Sequence, residues 1–224
     1  MNQPIKVKFC GMKTQKDLEI CNIADYLGFI VGVPKSKRNL TIPAVKSLIE
    51  NLSKDKKSVT VITDLTIIEK ISSEIDPDII QVHTKIDDLD SLLNVFEKNN
   101  QRYALTIGSS RNDIINGEIL DHEISSKAEY IIIDSIAGNE ISGGLGKVRN
   151  FQKTSEIISK YTNLHFIVAG GLEPYNILGI LQKTHPYGVD VSSGIENQEG
   201  IKDKELVTKF MNNVQLFNGE YINA

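Results

Sequence analysis

Eight times along the chain, a short β-branched run is followed by a stretch whose apolar residues recur at three- and four-residue spacing, and this alternation restricts the possible folds more than any other feature. The runs are IKVKF (5–9), LGFIVGV (27–33), SVTVIT (58–63), DIIQVH (78–83), RYALTI (102–107), EYIIID (129–134), LHFIVAG (164–170) and YGVDVS (187–192). Helical segments are expected over 14–25, 41–53, 66–75, 87–99, 112–127, 149–160, 173–184 and 203–217. Thr14 with Asp17, and Thr66 with Glu69, set a hydroxyl three residues before a carboxylate, close to the reciprocal cap that satisfies free amides at a helix start. Pro43 and Pro174 suit a first helical turn, where a missing N–H costs nothing. The strands are almost continuously apolar, as expected when both faces are covered, and crossovers of this length demand parallel pairing. The expected fold is α/β, a single (β/α)8 barrel with a parallel eight-stranded core, taking residues 1–224 as one domain. An open doubly wound sheet is the alternative, but the first turn, CGMKT, lacks the glycine pattern with which such sheets hold a nucleotide.

Charge and composition narrow the function classes. A formal net charge of −4 gives no general attraction to nucleic acid or to anionic membranes, so neither is expected as a partner. No apolar run approaches the roughly 18 residues of a membrane span, and MNQPIKVKFCG lacks a secretory pattern, so a cytoplasmic location is expected. Cys10 and Cys21 fit neither a disulfide framework nor a zinc knuckle, and the histidines and carboxylates show no metal-ligand spacing. No metal is therefore expected.

In a barrel of this kind the C-terminal ends of all strands face one rim, where active sites lie. That rim would gather Cys10, the 34–38 loop with Arg38, His83, Asp134, Gly170 and Gly171, and Asp190 with Ser192, Ser193 and Gly194. AGGL (169–172) and VDVSSGIE (189–196) follow the seventh and eighth strands, where glycine amides and a short helix after Gly194 would hold a phosphate. Ordinary loop turns are the plainer reading of those glycines. Cys10 suits core packing by composition, yet nearby cations would lower a rim thiol's pKa and let it act as a base near neutrality. Cys21, inside a helix, reads as packing. Asp134 follows an apolar strand; burial there would raise its pKa and fit it for general-acid work, while position alone leaves a loop or helix cap equally open. Arg38 suits a carboxylate or an aromatic face, although a solvated charge run is the common fate of such a loop. His83 reads more readily as a hydrogen-bonding residue than as a catalyst.

Taken in order, these pieces resemble the phosphoribosylanthranilate isomerase family over nearly the full chain. KFCGMKT (8–14) is similar to the family's opening strand with its cysteine, GFIVGVPKSKR (28–38) to its second-strand segment, and DIIQVH (78–83) to its fourth. IIIDS (131–135) with SGGLGK (142–147) is similar to the sixth strand and its loop, and AGGLEPYNI with GVDVSSGIE to the phosphate grip. The chain departs from the family pattern at Thr84-Lys85, at GGLGK and at Arg149-Asn150. The resemblance implies an Amadori rearrangement of a small phosphoribosyl substrate, without a cofactor, by a monomer or homodimer. It implies Asp134 as general acid and Cys10 as general base. Arg38, His83 and Asp190 would then contact the substrate, and Gly170, Gly171, Ser192, Ser193 and Gly194 its phosphate. Among other phosphosugar barrels, ProFAR isomerases would carry aspartates where this chain has Cys10 and Thr106, and indoleglycerol-phosphate synthases would need a lysine-rich catalytic set. A non-catalytic phosphate-binding barrel is a further alternative, against which Cys10 and Asp134 both argue.

Overall fold

The computed structural model describes residues 3–108, 117–134 and 151–219. Eight parallel strands form its centre: β1 Lys6–Cys10, β2 Tyr26–Val31, β3 Lys57–Ile62, β4 Ile79–Val82, β5 Tyr103–Gly108, β6 Tyr130–Asp134, β7 Phe166–Ala169 and β8 Gly188–Val191. Each pairs with the next, and β1 pairs with both β2 and β8, so the sheet closes into the expected barrel. Around it lie α1 Gln15–Cys21, α2 Ile42–Glu50, α3 Ile68–Glu74, α4 Leu89–Lys98, α5 Gly117–Asp121, α6 Glu123–Lys127, α7 Phe151–Lys160, α8 Ile177–Thr184 and α9 Lys204–Asn218.

The strands read as continuous apolar runs because their two faces pack against different partners. Val7, Phe9, Phe29, Val82, Leu105, Ile131, Ile133, Val168 and Val191 point outward against the helices. Tyr26, Val59, Val61, Ile79, Ala104, Tyr130, Ile132 and Ile167 point inward and fill the barrel. Lys8 and Cys10 share that inner face on β1, as do Gln81 on β4 and Asp190 on β8. The helix α9 seals the first strand: Phe210 and Phe9 are both fully buried and meet edge to face at 5.9 Å.

Local chemistry explains where the helices depart from expectation. Thr14 and Asp17 form the full capping box at α1. Pro43 lies in the first turn of α2. At the third helix, Asp64 rather than Thr66 is the capping residue: its carboxylate accepts from the Thr66 amide and starts a 3-10 turn, Leu65–Ile67, ahead of α3. The helix expected over 112–127 is interrupted at His122, whose extended backbone ends α5 and whose Nδ1 accepts from the Ile124 amide to start α6; residues 112–116 lie outside the described residues. Pro174 precedes α8 instead of opening it, because Asn176 Oδ1 accepts from the Glu173 amide and holds residues 173–176 as a turn. The short helix expected directly after Gly194 is not an α-helix. A single 3-10 turn, Ser193–Ile195, leads into a two-stranded hairpin formed by Glu196–Gln198 and Ile201–Lys202.

Candidate active site

The C-terminal ends of the strands open into a cavity of about 350 Å³. Cys10, Arg38, His83, Asp134, Gly170, Gly171, Asp190, Ser192, Ser193 and Gly194 all line it, so the residues expected to touch substrate or phosphate reach one space. Ser36, Thr63 and Gln81 add polar groups to its wall, and Ile30, Val61 and Leu172 add apolar ones. The segment 142–147, Arg149 and Asn150 lie outside the described residues.

One side of the cavity is built from the β7 and β8 loops. Gly170 and Gly171 adopt φ values of 91° and 56°, a region that L side chains enter reluctantly. Asn176 Nδ2 donates to the Gly171 carbonyl at 3.0 Å, fixing the turn that aims these glycines. Gly194 packs directly on the preceding loop: a Cβ there would fall 1.8 Å from the Leu172 carbonyl oxygen. Only glycine allows the two loops to meet. The Ser192 hydroxyl donates to the Cys10 carbonyl at 3.0 Å, so its proton is engaged within the protein.

Beside Ser192, where Arg38 and the Ser192 hydroxyl both crowd Gly11, the wall is organised by Glu196, a residue the sequence reading passed over. Arg38 donates to it in bidentate fashion, Nε to Oε1 at 2.8 Å and Nη2 to Oε2 at 2.5 Å. Lys202 Nζ donates to Oε1 at 2.8 Å and the Gly200 amide to Oε2 at 2.9 Å. Burial alone would raise the Glu196 pKa, but Arg38, the Gly200 amide and Lys202 outweigh it and hold the carboxyl at about 2. Arg38 is raised in turn by its hydrogen bonds to Glu196. Lys202 has a fully buried side chain and also donates to the Cys10 carbonyl at 2.6 Å and the Ser192 carbonyl at 3.1 Å. It joins the cysteine strand, the β8 loop and the arginine through one ammonium.

Beneath Cys10 lies a second ion pair. Lys8, fully buried, donates to Asp190 Oδ2 at 3.0 Å across the β1–β8 seam. Asp190 is therefore half engaged before any ligand arrives. Cys10 itself is 8% exposed. Burial raises its thiol pKa, while Lys8 and Lys202 pull it down and Asp190 pushes it up; the net direction is upward, contrary to the lowered value expected of a rim thiol. Cys21, fully buried in α1, is a packing residue as expected, and burial lifts its thiol to about 12. Among the described residues no group of three or more His, Cys, Asp or Glu is arranged to hold a metal ion.

A family profile described as N-(5'phosphoribosyl)anthranilate (PRA) isomerase matches residues 7–213. The chain belongs to the phosphoribosylanthranilate isomerase family. Such enzymes act in tryptophan biosynthesis, and isomerisation is the activity of this chain. The phosphoribosylanthranilate isomerase of Leptospira interrogans is 33% identical, over 95% of this chain and 96% of its own length. That of Methanosarcina acetivorans is 34% identical, over 94% and 93%. Among solved phosphoribosylanthranilate isomerases, the one from Pyrococcus furiosus superposes with a TM-score of 0.74 at 26% identity, covering 95% of this chain and 99% of its own. The Thermotoga maritima structure gives 0.77 at 24% identity, covering 94% and 98%. A further member, at 21% identity and a TM-score of 0.74, was solved in complex with reduced 1-(o-carboxyphenylamino)-1-deoxyribulose 5-phosphate; it covers 96% of this chain and 99% of its own.

The contacts that the sequence reading missed within this family's site are Lys8, Glu196, Lys202 and Asn176. Only Lys8 carried a local signal, since strand alternation sets it on the same face as Cys10.

Proposed function

We propose that the cavity converts N-(5-phosphoribosyl)anthranilate to 1-(2-carboxyphenylamino)-1-deoxyribulose 5-phosphate with Asp134 as general acid and Cys10 as general base. The observation that carries this reading is that Cys10 and Asp134, on strands β1 and β6, line one cavity with the two glycine loops. Asp134 gives its proton to the ribose ring oxygen as the C1–O bond opens, leaving an iminium at C1. Cys10, as thiolate, takes the C2 proton, and the electron pair of that C–H bond neutralises the iminium to give an enolamine. Tautomerisation then yields the ketone. The amides of Gly170, Gly171, Ser193 and Gly194, with Ser192 beside them, hold the phosphate. Arg38 meets the anthranilate carboxylate on the side of its guanidinium fork that Glu196 does not use. His83 and Asp190 complete the wall around the sugar and ring. The reaction needs no cofactor in this scheme.

We also assign the enzyme to the cytoplasm, acting as a monomer or homodimer on a small-molecule phosphoribosyl substrate. Among the described residues, no helix is long and apolar enough to cross a membrane.

The test is turnover of freshly made phosphoribosylanthranilate, followed by loss of anthranilate fluorescence against a spontaneous-hydrolysis control. Acid or base catalysis contributes ~10² to 10⁴-fold, so Cys10→Ala and Asp134→Asn should each lower kcat by at least that order with the fold intact. Near-normal turnover by either folded variant, freed of host isomerase, would overturn the assignment.

A further inference from the structure

We propose that Lys8 is a positioning residue for this reaction: its ammonium, enclosed between Asp190 and Cys10 in the barrel interior, stabilises the Cys10 thiolate from below. The inference rests on Cys10 being the base. Lys8 and Cys10 are two residues apart on β1 and so share its inner face. The Lys8 side chain is fully buried and donates a hydrogen bond to Asp190 Oδ2 at 3.0 Å. The opposing position on β2 is Gly28, where a methyl group would lie 3.0 Å from Cys10 Sγ and 3.2 Å from Lys8 Nζ. The absence of a side chain at Gly28 is what leaves room for the ammonium and the sulfur to crowd the same point.

A lysine enclosed in this way loses its hydration and needs compensating charge, and an apolar pair of similar size would serve the packing as well. The surroundings show what the charge achieves. Facing the thiol are Lys8 from β1, Asp190 from β8, Lys202 from the rim hairpin and Arg38 from the β2 loop, with Glu196 bound to the last two. The Tyr130 phenol, on β6, also faces it, and burial keeps that group un-ionised. Asp134 and His83 lie on the cavity wall above. Three cations thus meet two carboxylates, and with Asp134 carrying the proton it donates, one positive charge is in excess. Loss of the thiol proton brings the cluster to neutrality. Burial opposes that ionisation, and Lys8 is the enclosed cation that offsets it next to the sulfur.

The experiment follows the rate of iodoacetamide alkylation against pH on the full chain, with the Cys10 and Cys21 peptides resolved by mass spectrometry. Cys21, enclosed in α1, reports unfolding. In Lys8→Met the midpoint for Cys10 should rise by about one pH unit or more, and the acidic limb of the kcat/KM profile should move with it. Asp190→Asn, which leaves the ammonium to the thiolate alone, should shift the midpoint downward. Lys8→Met strands Asp190 without a cation, so the comparison is repeated between Asp190→Asn and Lys8→Met/Asp190→Asn, where no carboxylate is stranded. The double variant should again titrate about one unit or more above its single parent. An unchanged Cys10 midpoint in either comparison between folded proteins overturns the proposal. Alkylation needs no substrate, so shifted midpoints in a protein that fails to isomerise would refute the assigned reaction and leave the Lys8–Cys10 coupling standing.

Discussion

A single carboxylate, that of Glu196, holds a guanidinium, an ammonium and a backbone amide, and its side chain is 2% exposed. Its folded pKa near 2 lies below the unfolded value of about 4.3, so its contribution to stability is complete above the unfolded value and is lost as pH falls toward 2. We expect urea midpoints of the native protein to drop through that window and Glu196→Gln to flatten the drop; an equal acid slope in both proteins would show that the network does not stabilise the fold. The same carboxylate sets the attitude of Arg38. Arg38→Ala should therefore raise KM for the phosphoribosyl substrate far more than it raises the inhibition constant of inorganic phosphate. Equal weakening of both would mean that the arginine does not discriminate the two ends of the ligand.

In the proposed reaction the β7 and β8 loops hold the phosphate, and they are built against each other. Gly194→Ala would place a methyl group on the Leu172 carbonyl, and relief requires the loops to part. Phosphate inhibition should weaken at least tenfold, about 1.4 kcal/mol, while the circular dichroism spectrum is kept; unchanged inhibition would separate the loops from phosphate binding. The place of these two loops was also the most legible part of the sequence, since glycines after the seventh and eighth strands mark tight turns at the cavity rim. The strand order was equally readable from eight β-branched runs, with ends that moved by a residue or two. Polar support was less so. Lys8 reads as a charge inside an apolar run until Asp190, 182 residues away, is known to face it. Glu196 and Lys202 sit on a hairpin too short to leave a period-two signature. Asn176 replaces a helical turn with its own hydrogen bonds, and Asp64 does the same before α3, which is why Pro174 and Thr66 suggest helix starts that are not there.

At the scale of the whole molecule, the barrel is closed by its first and last parts. β1 meets β8 in parallel, the Ile5 amide donates to Asn218 Oδ1 at 3.1 Å, and α9 sets Phe210 on Phe9. Phe210 is fully buried and lies outside the cavity. Phe210→Ala should cost about 3 to 5 kcal/mol in urea unfolding, with kcat of the folded enzyme little changed; a loss below 1 kcal/mol would show that this helix is not what holds the seam. Closure also has a timetable. In the closed ring Lys8 lies in register with Asp190, whereas a slip of two residues along β8 would set it opposite Gly188 or Ser192 and leave an ammonium walled in without its carboxylate. The ion pair thus works as a key cut for one alignment. During synthesis the strand bearing the cysteine emerges early, yet its second neighbour is among the last segments to be made, and until then an open edge and an unmatched charge persist together.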